Sequence, residues 1–163
     1  MKNHQLRVSC NMAGAIIAFG LVSACGKEAD TRDAGAAQAP LALLSTDAKL
    51  AWGPCPPIFP AGCEISVLHG EPSKPNADIF LRVPAGYTLP AHSHTSVERM
   101  VLVTGQLDVQ YKGSQVAHLA EGQYAYGPAG LPHRGECISA EPCTLFIAFE
   151  GAVDGAPFEG GFE

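Results

Sequence analysis

From Glu64 onward the chain alternates short apolar runs with turn residues, and no stretch keeps a long helical period. Seven β-rich runs stand out, at 64–68, 78–83, 97–103, 107–111, 115–119, 123–126 and 144–149. Pro84-Ala85-Gly86, Thr104-Gly105, Lys112-Gly113-Ser114 and Glu121-Gly122 separate many of them as turns. Short strands at such regular spacing predict a single all-β domain, a sandwich or barrel, over residues 51–150. Trp52, the only tryptophan, is placed to anchor the lead-in segment onto it. Residues 41–50 have a modest helical pattern. The Gly- and Pro-containing tail at 151–163 is either loosely ordered or docked across a neighbouring surface.

The first fifty residues read differently. Lys2 and Arg7 precede an eleven-residue apolar run, 12–22, which fits a signal-peptide core over residues 1–24 and is short for a membrane span. Val22-Ser23-Ala24-Cys25 resembles a bacterial lipobox, so Cys25 is expected to carry lipid and tether the protein to a membrane. Gly26 after it resembles sorting to the outer membrane, facing the periplasm. Residues 25–50 then form a lipidated N-terminus and linker, and 28–40, rich in Ala, Gly and charge, would be flexible.

Charge and cysteines narrow the picture. Loss of Lys2 and Arg7 leaves eight basic residues against sixteen acidic ones, moving the formal net charge from −6 to about −8, so nucleic acid is not expected as a partner. Cys10 leaves with the signal peptide and Cys25 is lipidated. Cys55, Cys63, Cys137 and Cys143 remain, with three possible connectivities. Local pairing, Cys55 with Cys63 and Cys137 with Cys143, is the simplest in an oxidising periplasm. The alternative leaves Cys137 as a thiol near His133, whose strand parity it shares.

The densest signal lies between Gly86 and His133. Five residues separate Gly86 from His92-Ser93-His94, three more precede Glu98, and six more precede Gly105. Five residues separate Gly122 from Pro128-Ala129-Gly130, and two more precede His133. Residues two apart on a strand share a face, so His92 and His94 can aim inward together, and Glu98 joins them if 95–97 stays extended. The glycines suit chain reversals, where positive φ costs only glycine nothing. Three neutral imidazoles and a carboxylate suit a first-row divalent ion, Mn, Fe, Zn or Ni, and on an octahedral ion leave about two positions open. Open positions distinguish a reactive site from a sealed structural one.

These two motifs resemble those of the cupin superfamily, small antiparallel β-barrels of jelly-roll type. The resemblance spans roughly 53–150 and includes all four positions that hold metal in that family, His92, His94, Glu98 and His133. It departs at Cys137, where the second motif usually ends in Asn. The short spacing between the motifs and the Trp52-Gly53-Pro54 lead-in are similar to small cupins found as sensory domains of anti-sigma factors. The resemblance implies a small-molecule ligand or substrate and homodimers formed through a barrel edge.

Two functions follow. One is a metal-dependent enzyme, of oxygenase, isomerase or lyase type, acting on a small chelating or anionic substrate. The other is a non-catalytic module that binds or senses metal and a small molecule. Phe80, Met100, Leu102, Tyr124 and Tyr126 either line a pocket above the metal or form plain core. Arg82 and Arg99 are either anion clamps or solvated strand-face charges, the latter being the commoner role. His69 and His118 fall outside both motifs and read as surface or structural histidines.

Overall fold

The computed structural model describes residues 39–163. The fold is that of Leu41–Glu163. The expected signal peptide, the expected lipobox cysteine Cys25 and most of the expected linker lie outside the described residues.

Eleven strands and no helix occur among the described residues, in two antiparallel sheets. The six-stranded sheet runs in the order β1 (Gly53–Pro54), β2 (Glu64–His69), β3 (Ala77–Val83), β10 (Cys143–Phe149), β5 (Glu98–Thr104), β8 (Tyr124–Gly127). The five-stranded sheet runs β11 (Ala156–Pro157), β4 (Thr88–Ser93), β9 (His133–Cys137), β6 (Leu107–Tyr111), β7 (Ala117–Leu119). All seven β-rich runs of the sequence become strands. β1, β4, β9 and β11 lie outside those runs: β1 and β11 are only two residues long, and Pro90 and Gly135 break up the apolar pattern in β4 and β9. The β4–β9 register slips between Leu89 and His92, at the irregularity that accommodates Pro90.

One core draws on both sheets. Ile79, Leu81 and Val83 of β3, Leu145, Ile147 and Phe149 of β10, and Met100 and Leu102 of β5 meet Leu107 and Val109 of β6. Leu102 is fully buried, and its replacement by Ala would cost about 2–5 kcal/mol. Gly135 lets β9 approach β4, since a side chain there would crowd Leu89 Cδ1 at 3.3 Å and Asp108 O at 3.0 Å. The turn glycines behave as the motifs require: Gly86, Gly105, Gly122 and Gly130 all have positive φ.

Two bridges close the local pairs, Cys55–Cys63 and Cys137–Cys143. Cys137 is therefore no free thiol. It sits four residues along β9 from His133, roughly 13 Å at a strand's rise, too far to reach a shared ion.

Some of the other expectations are corrected and others hold. Residues 41–50 form turns, with Asp47 N–H donating to Leu44 O and Leu50 N–H to Asp47 O, and no helix. Leu41 and Leu44 stay exposed, so a helix this short gains no packing to offset its nucleation cost. Tyr124 and Tyr126 face solvent from edge strand β8, neither core nor pocket. Phe80 packs edge-on to Phe146 on the outer face of its sheet, while Met100 lines the interior cavity and Leu102 is core. Arg82 pairs with Glu64 at 2.6 Å and lies 4.1 Å over the Trp52 ring, which ties the lead-in to β3. Arg99 pairs with Glu150 at the surface, so neither arginine clamps an anion in the barrel. His118 is an exposed partner of Asp108 at 2.6 Å.

Candidate metal centre

His92, His94 and His133 converge at one end of the barrel, with one ring nitrogen from each within 4.8 Å of the others. β4 and β9 pair His92 directly with His133. The second motif's turn holds the His94 backbone, as Gly130 N–H donates to His94 O at 2.8 Å. Glu98 arrives from the opposite sheet. β4 ends at Ser93 and the chain bends at Thr95 and Ser96, so the extended stretch expected over 95–97 does not form. The bend carries the chain across the barrel and aims Glu98 back at the imidazoles.

The Glu98 carboxylate is almost wholly buried, with Oε1 3.0 Å from His133 Nε2 and Oε2 3.5 Å from His94 Nε2. The 3.0 Å approach is not aligned as a hydrogen bond, and Oε1 has no donor. Two donor atoms about 2.1 Å from a shared ion and at right angles to one another stand about 3.0 Å apart. Room for Glu98 comes from Gly127, its partner across β5–β8. A Cβ at 127 would lie 2.7 Å from both Cγ and Oε1 of Glu98.

Outer partners orient two of the rings. His92 Nδ1–H donates to Pro90 O at 2.6 Å, and His94 Nδ1–H donates to Asp154 O. With Nδ1 protonated, each Nε2 presents a lone pair to the centre, the arrangement common among metal-bound histidines. Asp154 lies in the C-terminal segment, which docks across β4 through β11 and through Phe158 N–H to Ala91 O at 2.9 Å. Its carboxylate accepts from Thr95 N–H at 2.9 Å and from the Thr95 hydroxyl. Of the two expectations for the tail, docking is what occurs. The third ring differs: His133 Nδ1 is buried without a partner, as is the hydroxyl of Tyr111 opposite it on β6.

Electrostatics suit a cation. Burial, then the neighbouring His133, pushes the His92 pKa down to about 4, so this ring is neutral near pH 7. Burial alone would raise Glu98, but the contact with His133 and the three imidazoles hold it below its ordinary value, leaving a carboxylate. Burial, reinforced by the Glu98 charge, pushes the Tyr111 hydroxyl well up. A buried anion with one oxygen lacking a donor, beside imidazole lone pairs, is expensive unless a cation completes it. The donor set fits a first-row divalent ion.

A cavity of about 50 Å³ adjoins these groups. Its walls are mainly aliphatic and aromatic, with Met100, Leu107 and Ile147 toward the core and Phe59 and Val153 toward the mouth. Such a volume holds a few waters or a very small ligand. Sequence reasoning missed Gly127, whose only signal was a glycine just before the Pro128 turn. It also missed Asp154, which acts through a main-chain carbonyl and carries no residue-type signature, and Phe59, whose ring stands edge-on to His92 with centroids 4.8 Å apart.

Two antiparallel sheets enclosing a histidine cluster at one mouth define a jelly-roll protein of the cupin type. Residues 42–153, more than half of the chain, match the family model described as ChrR Cupin-like domain, and the chain belongs to that family. Among solved structures it is similar to a DMSP lyase from a crystallographic study of RdDddP and RnDddQII, at TM-score 0.59 and 18% identity, over 68% of this chain and 63% of that one. It is also similar to the DMSP lyase DddQ from Ruegeria pomeroyi DSS-3, at TM-score 0.58 and 21% identity, over 69% and 64% respectively. A single-substitution variant of oxalate decarboxylase from Bacillus subtilis aligns at TM-score 0.53 and 18% identity, over 65% of this chain and 28% of that one. The chain thus spans less than two thirds of the length of both lyases. At these identities the likeness establishes the fold. No curated protein sequence matches the chain.

Proposed function

We propose that this protein is an exported, lipid-anchored cupin in which His92, His94, Glu98 and His133 hold one divalent ion, Mn, Fe, Zn or Ni, that receives a small chelating ligand. The observation that carries this reading is the buried Glu98 carboxylate, set against two imidazoles at 3.0 and 3.5 Å with one oxygen left without a donor. Such an ion supplies Lewis acidity toward the cavity. The chain's own residues do the rest. Pro90 O and Asp154 O hold the tautomers of His92 and His94, Gly127 leaves room for the carboxylate, and apolar walls surround the cavity. Among the residues that line the cavity, the only other acid is Asp154, whose carboxylate is engaged by Thr95. Proton transfer by a dedicated side chain is therefore not built into this cavity.

Lyases and a decarboxylase among the structural neighbours support an enzyme reading of lyase type. A second reading, a binding or sensing module, is favoured by the small cavity and by membership of the ChrR cupin-like family. An enzyme loaded with Fe or Mn turns over a candidate small carboxylate or diol; a sensing module is thermally stabilised by it without turnover. Neither response, across a panel of such compounds, would overturn the small-ligand proposal.

Export and anchoring are supported by the lipobox pattern and by two disulfides, which persist in oxidising compartments. Incorporation of labelled fatty acid into the wild-type chain, and its loss in Cys25→Ser, tests the anchor. An unlabelled wild-type chain would contradict it.

A further inference from the structure

The cavity mouth is covered from two sides, by the loop between Cys55 and Cys63 and by the C-terminal segment. Phe59 of the loop stands against His92, and Asp154 of the segment holds His94. The two covers meet where Ile58 lies against Gly155. A Cβ on Gly155 would lie 2.6 Å from Ile58 Cδ1, so Ile58 fills the notch that this glycine leaves. Phe59 and Cys55 pack against the core, and the loop has few other fixings. Pro56, Pro57 and Pro60 have no N–H to give, and its fixings are Cys55 N–H to Cys63 O at 3.1 Å, a Phe59 N–H to Pro56 O turn, and the Tyr87 hydroxyl donating to Pro60 O at 2.6 Å.

The bridge itself lies between inside and outside. A surface groove of about 600 Å³ is lined by both Cys55 and Cys63, with Trp52, Phe59 and Pro84, while Cys55 and Phe59 also line the metal-site cavity. Cys63 is buried and Cys55 half-buried, so Cys55 is the more accessible half of the bridge. The other bridge offers no such approach. Cys137 and Cys143 are both fully buried at the far end of β9 and β10.

We propose that the Cys55–Cys63 bridge is a redox-sensitive latch on the mouth of the His/Glu cavity, opened by a dithiol reductant that reaches it through the surface groove. One thiolate of the dithiol attacks Cys55 Sγ, the S–S bond breaks, and Cys63 leaves as a thiolate and takes a proton. The second donor thiol then attacks the mixed disulfide and releases Cys55, which is protonated in turn. Two electrons and two protons pass to the chain, and the donor departs as its disulfide. The freed loop withdraws Ile58 from Gly155 and Phe59 from His92, exposing the cavity. The latch rests on the cover's geometry, not on the identity of any ion or reaction.

Its test uses the metal-free full-length chain, so that failure to bind metal leaves the outcome readable. Diethylpyrocarbonate labelling at neutral pH is mapped by mass spectrometry at His92 and His94, with exposed His118 as the internal reference. Labelling of His92 should rise at least about tenfold in Cys55→Ser/Cys63→Ser and in wild type treated with dithiothreitol, and stay unchanged in Cys137→Ser/Cys143→Ser. Ile58→Ala keeps the bridge and removes only the contact with Gly155, and should also raise it. If labelling does not rise in Ile58→Ala or in the folded Cys55→Ser/Cys63→Ser protein, or rises equally when the other bridge is removed, the latch is overturned.

Discussion

His92, Glu98 and His133 stand on strands paired on both sides, whereas the groups that cover them come from a proline-rich loop and a two-residue edge strand. β4 lies between β11 and β9, β5 between β10 and β8, and β9 between β4 and β6. Their ladders and the shared core fix the donor atoms before any ligand arrives, the preorganisation a metal site needs. The cover is held by one disulfide, a few hydrogen bonds and the contact of Ile58 with Gly155. Phe59 and Val153 also pack against the core, but neither covering segment has a ladder on both sides, and such elements open locally before the doubly paired strands do. The wall can therefore stay fixed while the cover moves.

The largest effects should come from breaking the wall. His92→Ala or Glu98→Gln should take metal content from about one ion per chain to none, measured by elemental analysis, while strand content by circular dichroism is kept. Retention of a full ion by either variant would remove that residue from the ligand set.

Acid should break the metal-free wall next. His92 is depressed from 6.5 to about 4, so the unfolded chain binds its proton first as pH falls. Its contribution is fully present above about 6.5 and is lost as pH drops toward 4, at most roughly 3 kcal/mol. Glu98, held below 4.5, has the same sign, its contribution being lost below its ordinary value. Denaturant midpoints of the metal-free protein should fall steadily across this window, and by less in His92→Ala. A flat profile would mean that the imidazole is not buried neutral.

The cover should matter less than either. Deleting residues 152–163 removes the Asp154 carbonyl from His94 Nδ1 and should weaken metal affinity about 10–100-fold without abolishing it. Calorimetric titration would show this, and an unchanged affinity would reduce the strap to a passenger. Thr95→Ala loses only exposed contacts to Asp154 and should shift stability by about 1 kcal/mol or less, readable as a small change in thermal midpoint.

The same division governs what could be read in the sequence. The wall was legible because its functions demand residue types: imidazoles two apart, a carboxylate at fixed distance, and glycines at positive φ in the turns before and after. The route of Glu98 was not, since the parity argument assumed an extended 95–97 and the chain instead bends there to reach the facing sheet. β4 and β9 showed only through the His92/His94 spacing and the His133/Cys137 parity, because Pro90 and Gly135 interrupt their apolar alternation. Gly127 acts by an absent side chain and Asp154 by a carbonyl that every residue possesses, so neither leaves a mark in composition or spacing. Cysteine spacing pointed to the bridges, but only the fold shows that one is sealed and the other lies against a groove.

The central claim is that the four converging side chains hold one divalent ion. Elemental analysis of the full-length protein, purified without added metal and then exposed to Mn, Fe, Ni and Zn in turn, tests it most directly. About one tightly held ion per chain is the predicted result. A folded protein that carries none and takes up none of the four would contradict it.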